Sequence, residues 1–325
     1  MTRPLRIAAI GVGYLGRHHA RLLGTLEGVT LAGVVDTNAA RAAEIAAAAG
    51  ARAFTDYRQV LDEVDAVTVA VPTETHAAIA IDCLERGIPV LVEKPMARSL
   101  AEADAMIAAA ARSGAVLAVG HTERYNPAVE VARGLLHHPR FIEVHRLGTF
   151  PERSLDIDVV FDLMIHDLDV TLSLVEGDVT SIEAVGVPVL TGRVDIANAR
   201  LRFAGGCIAN LTASRISRDR VRKIRFFQPE SYISIDYAAQ KVEGWRLRRR
   251  DGERPAIEGG EIPVAQEEPL KRELADFTRA VRTGGRPGVP GEEGRRALAL
   301  AQAITDAMEH EAALGRRPET GDRRL

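Results

Sequence analysis

Gly11-Val12-Gly13-Tyr14-Leu15-Gly16 constrains this 325-residue chain more than any other stretch, because of what flanks it. Leu5 to Ile10, directly before it, is the short apolar run of a fully buried strand. Residues 15–23 follow with a helical pattern. A second apolar run, residues 30–35, ends in Asp36. That acid lies about 20 residues beyond Gly16, the spacing of a ribose-binding carboxylate after a phosphate-binding turn. The glycines have separate tasks. Gly11 permits a tight turn, Gly13 lets a pyrophosphate approach the backbone, and Gly16 lets helix and strand pack closely. Tyr14 and Leu15 complete the turn, and the helix start offers free N–H groups and a positive dipole end to phosphate. Asp36 suits a ribose 2′-OH and repels a 2′-phosphate. Thr37 and Asn38 are uncharged, and Arg41 lies further on, in the next helix. The expected cofactor is NAD rather than NADP.

Up to His121, strand and helix patterns alternate, with strands at 5–10, 30–35, 66–71, 90–93 and 115–120. Helices are expected at 15–23, 39–49, 76–86 and 100–112. Ser99-Leu100-Ala101-Glu102 is a capping box for the last, and Gly114 a C-cap. Continuous apolar strands between helices mean an α/β fold with a parallel, doubly wound sheet. Residues 1–121 form this first, cofactor-binding domain, and residues 122–325 a second one.

In the second, helices are expected at 126–136 and 158–175, and a strand at Phe141–Leu147. Strand patterns follow at 181–190, 197–203, 207–215, 223–227, 232–236 and 244–249. Helices at Pro269–Thr283 and 292–314 close the chain and are placed to pack back on the first domain. Arg200-Leu201-Arg202-Phe203 and Tyr232 to Asp236 alternate with period two, so one sheet face is buried and the other is polar or covered by a partner. An open face carrying Leu, Ile and Tyr is too apolar for a monomer, and a homodimer or homotetramer joined through these sheets is expected.

With 46% hydrophobic and 27% charged residues and a formal net charge of -3, the chain has no electrostatic footprint for nucleic acid. The basic run Arg246 to Arg250 reads as a solvated strand edge. No apolar run is long enough to span a bilayer, and no signal segment precedes the first strand, so a cytoplasmic enzyme is expected. The two cysteines, Cys83 and Cys207, read as small buried thiols, and no metal site is expected. Residues 318–325 read as a frayed polar tail.

Three segments can carry chemistry. Pro72 and Thr73 follow a strand's carboxyl end, where they border the nicotinamide. His76 is either a cofactor contact or a helix-entry residue touching loop backbone. Glu93-Lys94-Pro95 ends the next strand, where a lysine can hold a substrate oxygen and stabilise negative charge. Pro95 is a candidate for a cis peptide. Asp162, His166 and Asp169 share one face of an otherwise apolar helix. That stripe is either solvent-facing or lines a ligand site. A histidine there suits general acid–base work, with a carboxylate one turn away to orient it.

This ordered set, the glycine turn with Asp36, then Glu93-Lys94-Pro95, then Asp162-x-x-x-His166, resembles the Gfo/Idh/MocA family of sugar and inositol oxidoreductases. The resemblance covers nearly the whole chain. It implies an N-terminal Rossmann domain and a C-terminal α/β domain with a large open-faced, mostly antiparallel sheet. It also implies hydride transfer between a nicotinamide and a carbohydrate carbon, with Lys94, Asp162 and His166 as the catalytic set and Glu93 at the cofactor. A narrower resemblance, through Gly120 to Pro127, Arg146 to Arg153 and Ile165 to Asp169, is to members that oxidise C3 of UDP-N-acetylglucosamine. On that reading Arg124, Tyr125 and Arg146 meet the substrate, the arginines offering forked donors to its diphosphate. Alternatives are a free-sugar or inositol dehydrogenase, an NAD-dependent glycoside hydrolase of the same family, and a non-catalytic NAD or sugar sensor. A metal hydrolase built on His166, Asp167 and Asp169 leaves the glycine turn unexplained.

Overall fold

The structure, a computed structural model, describes residues 3–150, 157–249 and 254–315, with side chains up to Glu311. Arg250, the 318–325 tail and the end of the Arg146–Arg153 stretch lie outside the described residues.

In chain order the first elements are β1 (Leu5–Ile10), α1 (Gly16–Leu23), β2 (Val29–Val35), α2 (Ala39–Ala49) and β3 (Arg52–Phe54). Next come β4 (Ala66–Val69), α3 (Thr73–Glu85), β5 (Val90–Glu93), α4 (Leu100–Ser113), β6 (Leu117–Gly120) and α5 (Pro127–Arg133). β7 (Phe141–Leu147), a π-helical turn (Val160–Met164) and α6 (Ile165–Leu174) follow. Then come β8 (Val179–Val187), β9 (Ile196–Phe203), β10 (Ile208–Ser214), β11 (Val221–Gln228), β12 (Ser231–Asp236), β13 (Lys241–Arg248) and β14 (Ala256–Ile262). α7 (Pro269–Thr283) and α8 (Gly291–Gly315) come last. The chain divides into two compact units, one up to Glu130 with Ala265–Ala299, the other Val131–Val264 with the residues from Leu300 on.

The first unit holds a parallel sheet of order β3-β2-β1-β4-β5-β6. Every residue of β4, β5 and β6 is buried, which is why they read as unbroken apolar runs. β3 escaped detection because three residues are too few to show a period. Ser99 Oγ accepts from the Glu102 amide at 3.2 Å, and Gly114 ends α4 in the left-handed region, as the capping pattern requires. α7 sends Leu274 and Phe277 into the same core as Leu23, Val34 and Leu91. The strand order reverses between β1 and β4, and ligands of such sheets bind beyond the carboxyl ends at that reversal.

The second unit holds an eight-stranded sheet of order β14-β13-β12-β11-β7-β10-β9-β8. Its pairs are antiparallel except β7 with β10. β9 buries Ala197, Ala199, Leu201 and Phe203 and exposes Asn198, Arg200 and Arg202. The basic run from Arg246 is not at an edge. β14 pairs along β13, and Glu258 meets Arg248 at 2.7 Å and Arg246 at 3.9 Å. β14 was hidden by Gly259-Gly260, since paired glycines weaken a strand signal.

A buried clip fixes the entry to the π turn. Asp195 accepts the amides of Val189, Leu190 and Thr191 at 2.8, 2.6 and 2.9 Å, and Arg215 Nε at 2.8 Å. Burial opposes its charge, but these donors outweigh it and hold the carboxyl well below the usual carboxylate range. Arg215 also donates to the Ile157 carbonyl at 2.7 Å, and Asp158 Oδ1 accepts the Val194 amide at 2.9 Å. Among the described residues no helix is long and apolar enough to cross a membrane.

Candidate active site

In the first unit, the glycine turn has the shape its sequence demands. Gly11 sits at φ +79°, and a Cβ there would lie 2.7 Å from the Ala70 carbonyl oxygen. A Cβ on Gly16 would come within 1.7 Å of the Gly11 oxygen, so the turn closes only with glycine. Gly13 is the opposite case: a Cβ there would meet no described atom within 4 Å, so its backbone faces open space at the start of α1. Tyr14 and Leu15 are exposed beside it, with Arg17 stacked 5.1 Å from the Tyr14 ring. Asp36 Oδ2 accepts the Val12 amide at 3.1 Å and Oδ1 the Asn38 amide at 2.9 Å. The acid thereby ties the turn to the end of β2. Open backbone, a helix N-terminus and a carboxylate fit the pyrophosphate and ribose of NAD. Arg41 reaches within 3.8 Å of Asp36, closer than its place in the next helix suggested.

Pro72 and Thr73 begin α3 at the carboxyl end of β4, as expected. His76 settles on the backbone reading. It is buried, with Nδ1 3.0 Å from the Pro95 carbonyl oxygen and Nε2 2.9 Å from that of Val71. Burial pulls its pKa below the ordinary value against the two carbonyls, which favour the charged ring. It clamps the loops that end β4 and β5. The Lys94–Pro95 peptide is cis. Glu93 turns its carboxylate into the protein, with Oε1 2.9 Å from His19 Nε2 and Oε2 accepting the Lys94 amide at 3.2 Å. Its side chain thereby bonds His19 and the start of the Lys94 loop. Nothing in the sequence singled out His19, which lies on α1 among apolar neighbours Ala20, Leu22 and Leu23.

Arg124 and Tyr125 lie in a 3-10 turn after β6. Arg124 Nη1 donates to Glu293 Oε2 at 2.7 Å, and the Tyr125 hydroxyl donates to Asp276 Oδ2 at 2.9 Å. Burial, with the negative charges of Glu273 and Asp276, pushes that hydroxyl's pKa far up, so it stays a donor.

In the second unit, residues 158–175 are not one uniform helix. The Ile165 amide donates to the Val160 carbonyl, five residues back, which makes 160–164 a π turn. π turns cluster at functional sites because they re-aim side chains. Asp162 lies in the turn and His166 in the first turn of α6, both half-buried, while Asp167 and Asp169 are buried. Val160, Met164, Ile165, Leu168 and Val170 are buried as well, so the segment is packed nearly all round and the solvent-stripe reading fails. Arg146 departs from its expected role. Its Nε and Nη2 donate to the two oxygens of Asp167 at 2.6 and 3.0 Å, and Tyr237 covers its guanidinium at 5.3 Å. The fork expected to face a diphosphate is closed on Asp167, a partner the sequence pattern assigned only to a metal alternative.

Residues 5–121 match the model described as "Oxidoreductase family, NAD-binding Rossmann fold", and residues 129–230 the GFO/IDH/MocA C-terminal domain. The chain belongs to the Gfo/Idh/MocA oxidoreductases. It is 40% identical over 309 residues to a UDP-N-acetylglucosamine 3-dehydrogenase of Acidithiobacillus ferrooxidans, covering 94% of this chain and 97% of that one. A solved UDP-N-acetylglucosamine 3-dehydrogenase from the same organism matches with a TM-score of 0.88 at 38% identity, over 95% of this chain and 99% of that one. A myo-inositol 2-dehydrogenase of Thermotoga maritima is 26% identical over 325 residues, 94% of this chain and 96% of that one. This Gfo/Idh/MocA protein is thus an NAD-binding oxidoreductase, with a parallel Rossmann sheet and a large, mostly antiparallel second sheet.

Proposed function

We propose that the enzyme oxidises C3 of UDP-N-acetylglucosamine with NAD. The observation that carries this is the 40% identity, along nearly the full length of both chains, to a protein of that activity. NAD supplies the two-electron acceptor. The residues supply the rest. His166 takes the proton of the sugar hydroxyl, for which an imidazole suits neutral pH. Lys94 holds the oxygen and steadies its growing negative charge. Asp162 orients the imidazole. Arg124 and Tyr125, after the last Rossmann strand, contact the nucleotide sugar. The test is NADH formation at 340 nm with UDP-N-acetylglucosamine against free N-acetylglucosamine and inositols. Turnover of the nucleotide sugar supports the reading, and turnover of a free polyol alone overturns it.

A second reading, a free sugar or inositol as substrate, is favoured by one observation. Both arginines expected at a diphosphate have carboxylate partners, Asp167 for Arg146 and Glu293 for Arg124.

The working form is a symmetric homo-oligomer joined through the second unit's sheet. Phe141, Phe227, Tyr232 and Trp245 stand opposite one another across β7, β11, β12 and β13. The first three rings lie with centroids 5.5 and 5.2 Å apart, tilted 32° and 50° to one another. Phe227 is 38% and Trp245 42% exposed, an apolar row suited to a second copy. The leucines and isoleucines expected beside them, Leu201, Ile233 and Ile235, instead turn inward. Cys83 and Cys207 are free and buried, which fits a reducing, cytoplasmic setting.

A further inference from the structure

Two buried arginines continue the inward stripes of β7 and β10, the parallel pair of the second unit's sheet. Arg146 follows Ile142 and Val144, and Arg215, just past the end of β10, follows Leu211 and Ala213. The register sets Arg146 beside Ala213, so both side chains enter the interior at the same end of the sheet. Such positions ordinarily take apolar residues, and a buried ion pair is often no more stabilising than apolar side chains of similar volume. What these arginines add is geometry.

Each grips one end of the same short segment. Arg215, paired with Asp195 at 2.8 Å, donates through Nη1 to the Ile157 carbonyl at 2.7 Å. Val194 completes that grip: its amide donates to Asp158 Oδ1 at 2.9 Å, and its carbonyl accepts the Val159 amide at 3.0 Å. Arg146 forks onto Asp167 in the first turn of α6. Between the two grips lie the π turn, Asp162 and His166. The Asp162 amide donates to the Asp158 carbonyl at 3.1 Å, so Asp162 goes with the first grip. His166, next to Asp167, goes with the second. π turns are rare local inserts in otherwise regular helices. Returning this one to α spacing would rotate one grip against the other, and the two arginines oppose that rotation.

We propose that Arg215 is a positioning residue for the proton-transfer pair: it holds the start of the segment on the sheet end where Arg146 holds the start of α6, which keeps the turn between them widened and sets where Asp162 lies against His166. The proposal rests on the reading of Asp162 and His166 as that pair.

Arg215→Met in the full chain removes the grip on Ile157 while filling much of the same volume. In a crystal structure of this variant, the Ile165 amide leaves the Val160 carbonyl for that of Phe161, and Asp162 shifts relative to His166. Kinetics use NAD with whichever of UDP-N-acetylglucosamine, N-acetylglucosamine or inositol yields NADH. There kcat falls about tenfold or more, as small misplacements of reacting groups do, while KM and NAD affinity stay within about threefold. If Arg215→Met does not fold, half-buried Asp158 carries the same test from the other side of the grip. Asp158→Ala lowers kcat about tenfold. Asp158→Asn keeps an acceptor for the Val194 amide and restores kcat to within about twofold. A merely stabilising role would lower the melting temperature of Asp158→Ala and spare kcat at temperatures well below it. An Ile165 amide still on Val160 in Arg215→Met, an undiminished kcat in that variant, or equal kcat in the two Asp158 variants overturns the proposal. The crystal structure needs no substrate, so the two failures are distinct: near-full turnover in His166→Ala removes the reading of the pair, and an unmoved turn removes the role of Arg215.

Discussion

Arg146 grips Asp167 with two parallel hydrogen bonds, at 2.6 and 3.0 Å, with side chains 5% and 2% exposed. Removing one member of such a pair strands a buried charge and costs about 3–5 kcal/mol. Arg146→Ala should therefore show a clear fall in denaturation midpoint. Arg124→Ala should instead leave stability nearly intact and weaken UDP-N-acetylglucosamine about tenfold or more, the usual cost of a lost charge-assisted contact. Calorimetric titration beside thermal unfolding separates the two. Equal stability losses in both would show that Arg124, too, is only structural.

The Rossmann half was legible because its signals are local. Buried parallel strands are continuously apolar, caps are short motifs, and the glycine turn is written in six consecutive residues. What escaped needed partners far along the chain. Arg146 and Asp167 are 21 residues apart, and no spacing announces that they pair. His19 and Glu93 are 74 apart. The π turn escaped because a polar stripe at i, i+4 and i+7 looks the same in sequence whether or not one turn is widened. β14 escaped through its glycines. Lys94, Asp162 and His166 stood out only as an ordered combination, since each is unremarkable alone.

His166→Ala and Lys94→Ala should each lose about 10²–10⁴-fold in turnover, the range for a general acid–base group. NAD affinity should persist, because neither lies on the glycine turn. Near-full turnover in either variant would remove that residue from the chemistry.

Asp36 bonds the Val12 and Asn38 amides, so it shapes the turn as well as facing a ribose. Asp36→Ala should weaken NAD and narrow its advantage over NADP, helped by Arg41 nearby. Comparing both cofactors by fluorescence titration checks this. Tighter NADP binding by the unaltered enzyme would contradict the assignment.

His76 gives an acid-side dependence of stability. Its pKa is lowered in the folded state, so the unfolded chain takes up the proton first. Its contribution is flat above about pH 6.5, the ordinary histidine value, and is lost as pH falls from there toward the lowered folded value. His76→Asn should flatten the melting-temperature profile below about pH 6.5. Parallel profiles would mean that other groups carry the acid sensitivity.

Trp245→Glu with Phe227→Glu puts charge into the exposed aromatic row. Light scattering should then find monomers at micromolar concentration where the unaltered chain is a dimer or tetramer. A monomeric unaltered chain would remove the row from any assembly role.

The π turn makes residues 158–175 unforgiving of changes in length. Deleting one residue between Val160 and Met164 would restore a regular helix, yet each residue of an α-helix advances about 100° around its axis. Either the preceding chain, anchored through Ile157 and Asp158, or everything after the turn would have to rotate by that amount. Rotation of the latter would swing His166 aside and break Asp167 from Arg146 together. Chimeras or homology-guided grafts in this family should therefore exchange the turn and α6 as one block, keeping residue count as strictly as residue identity.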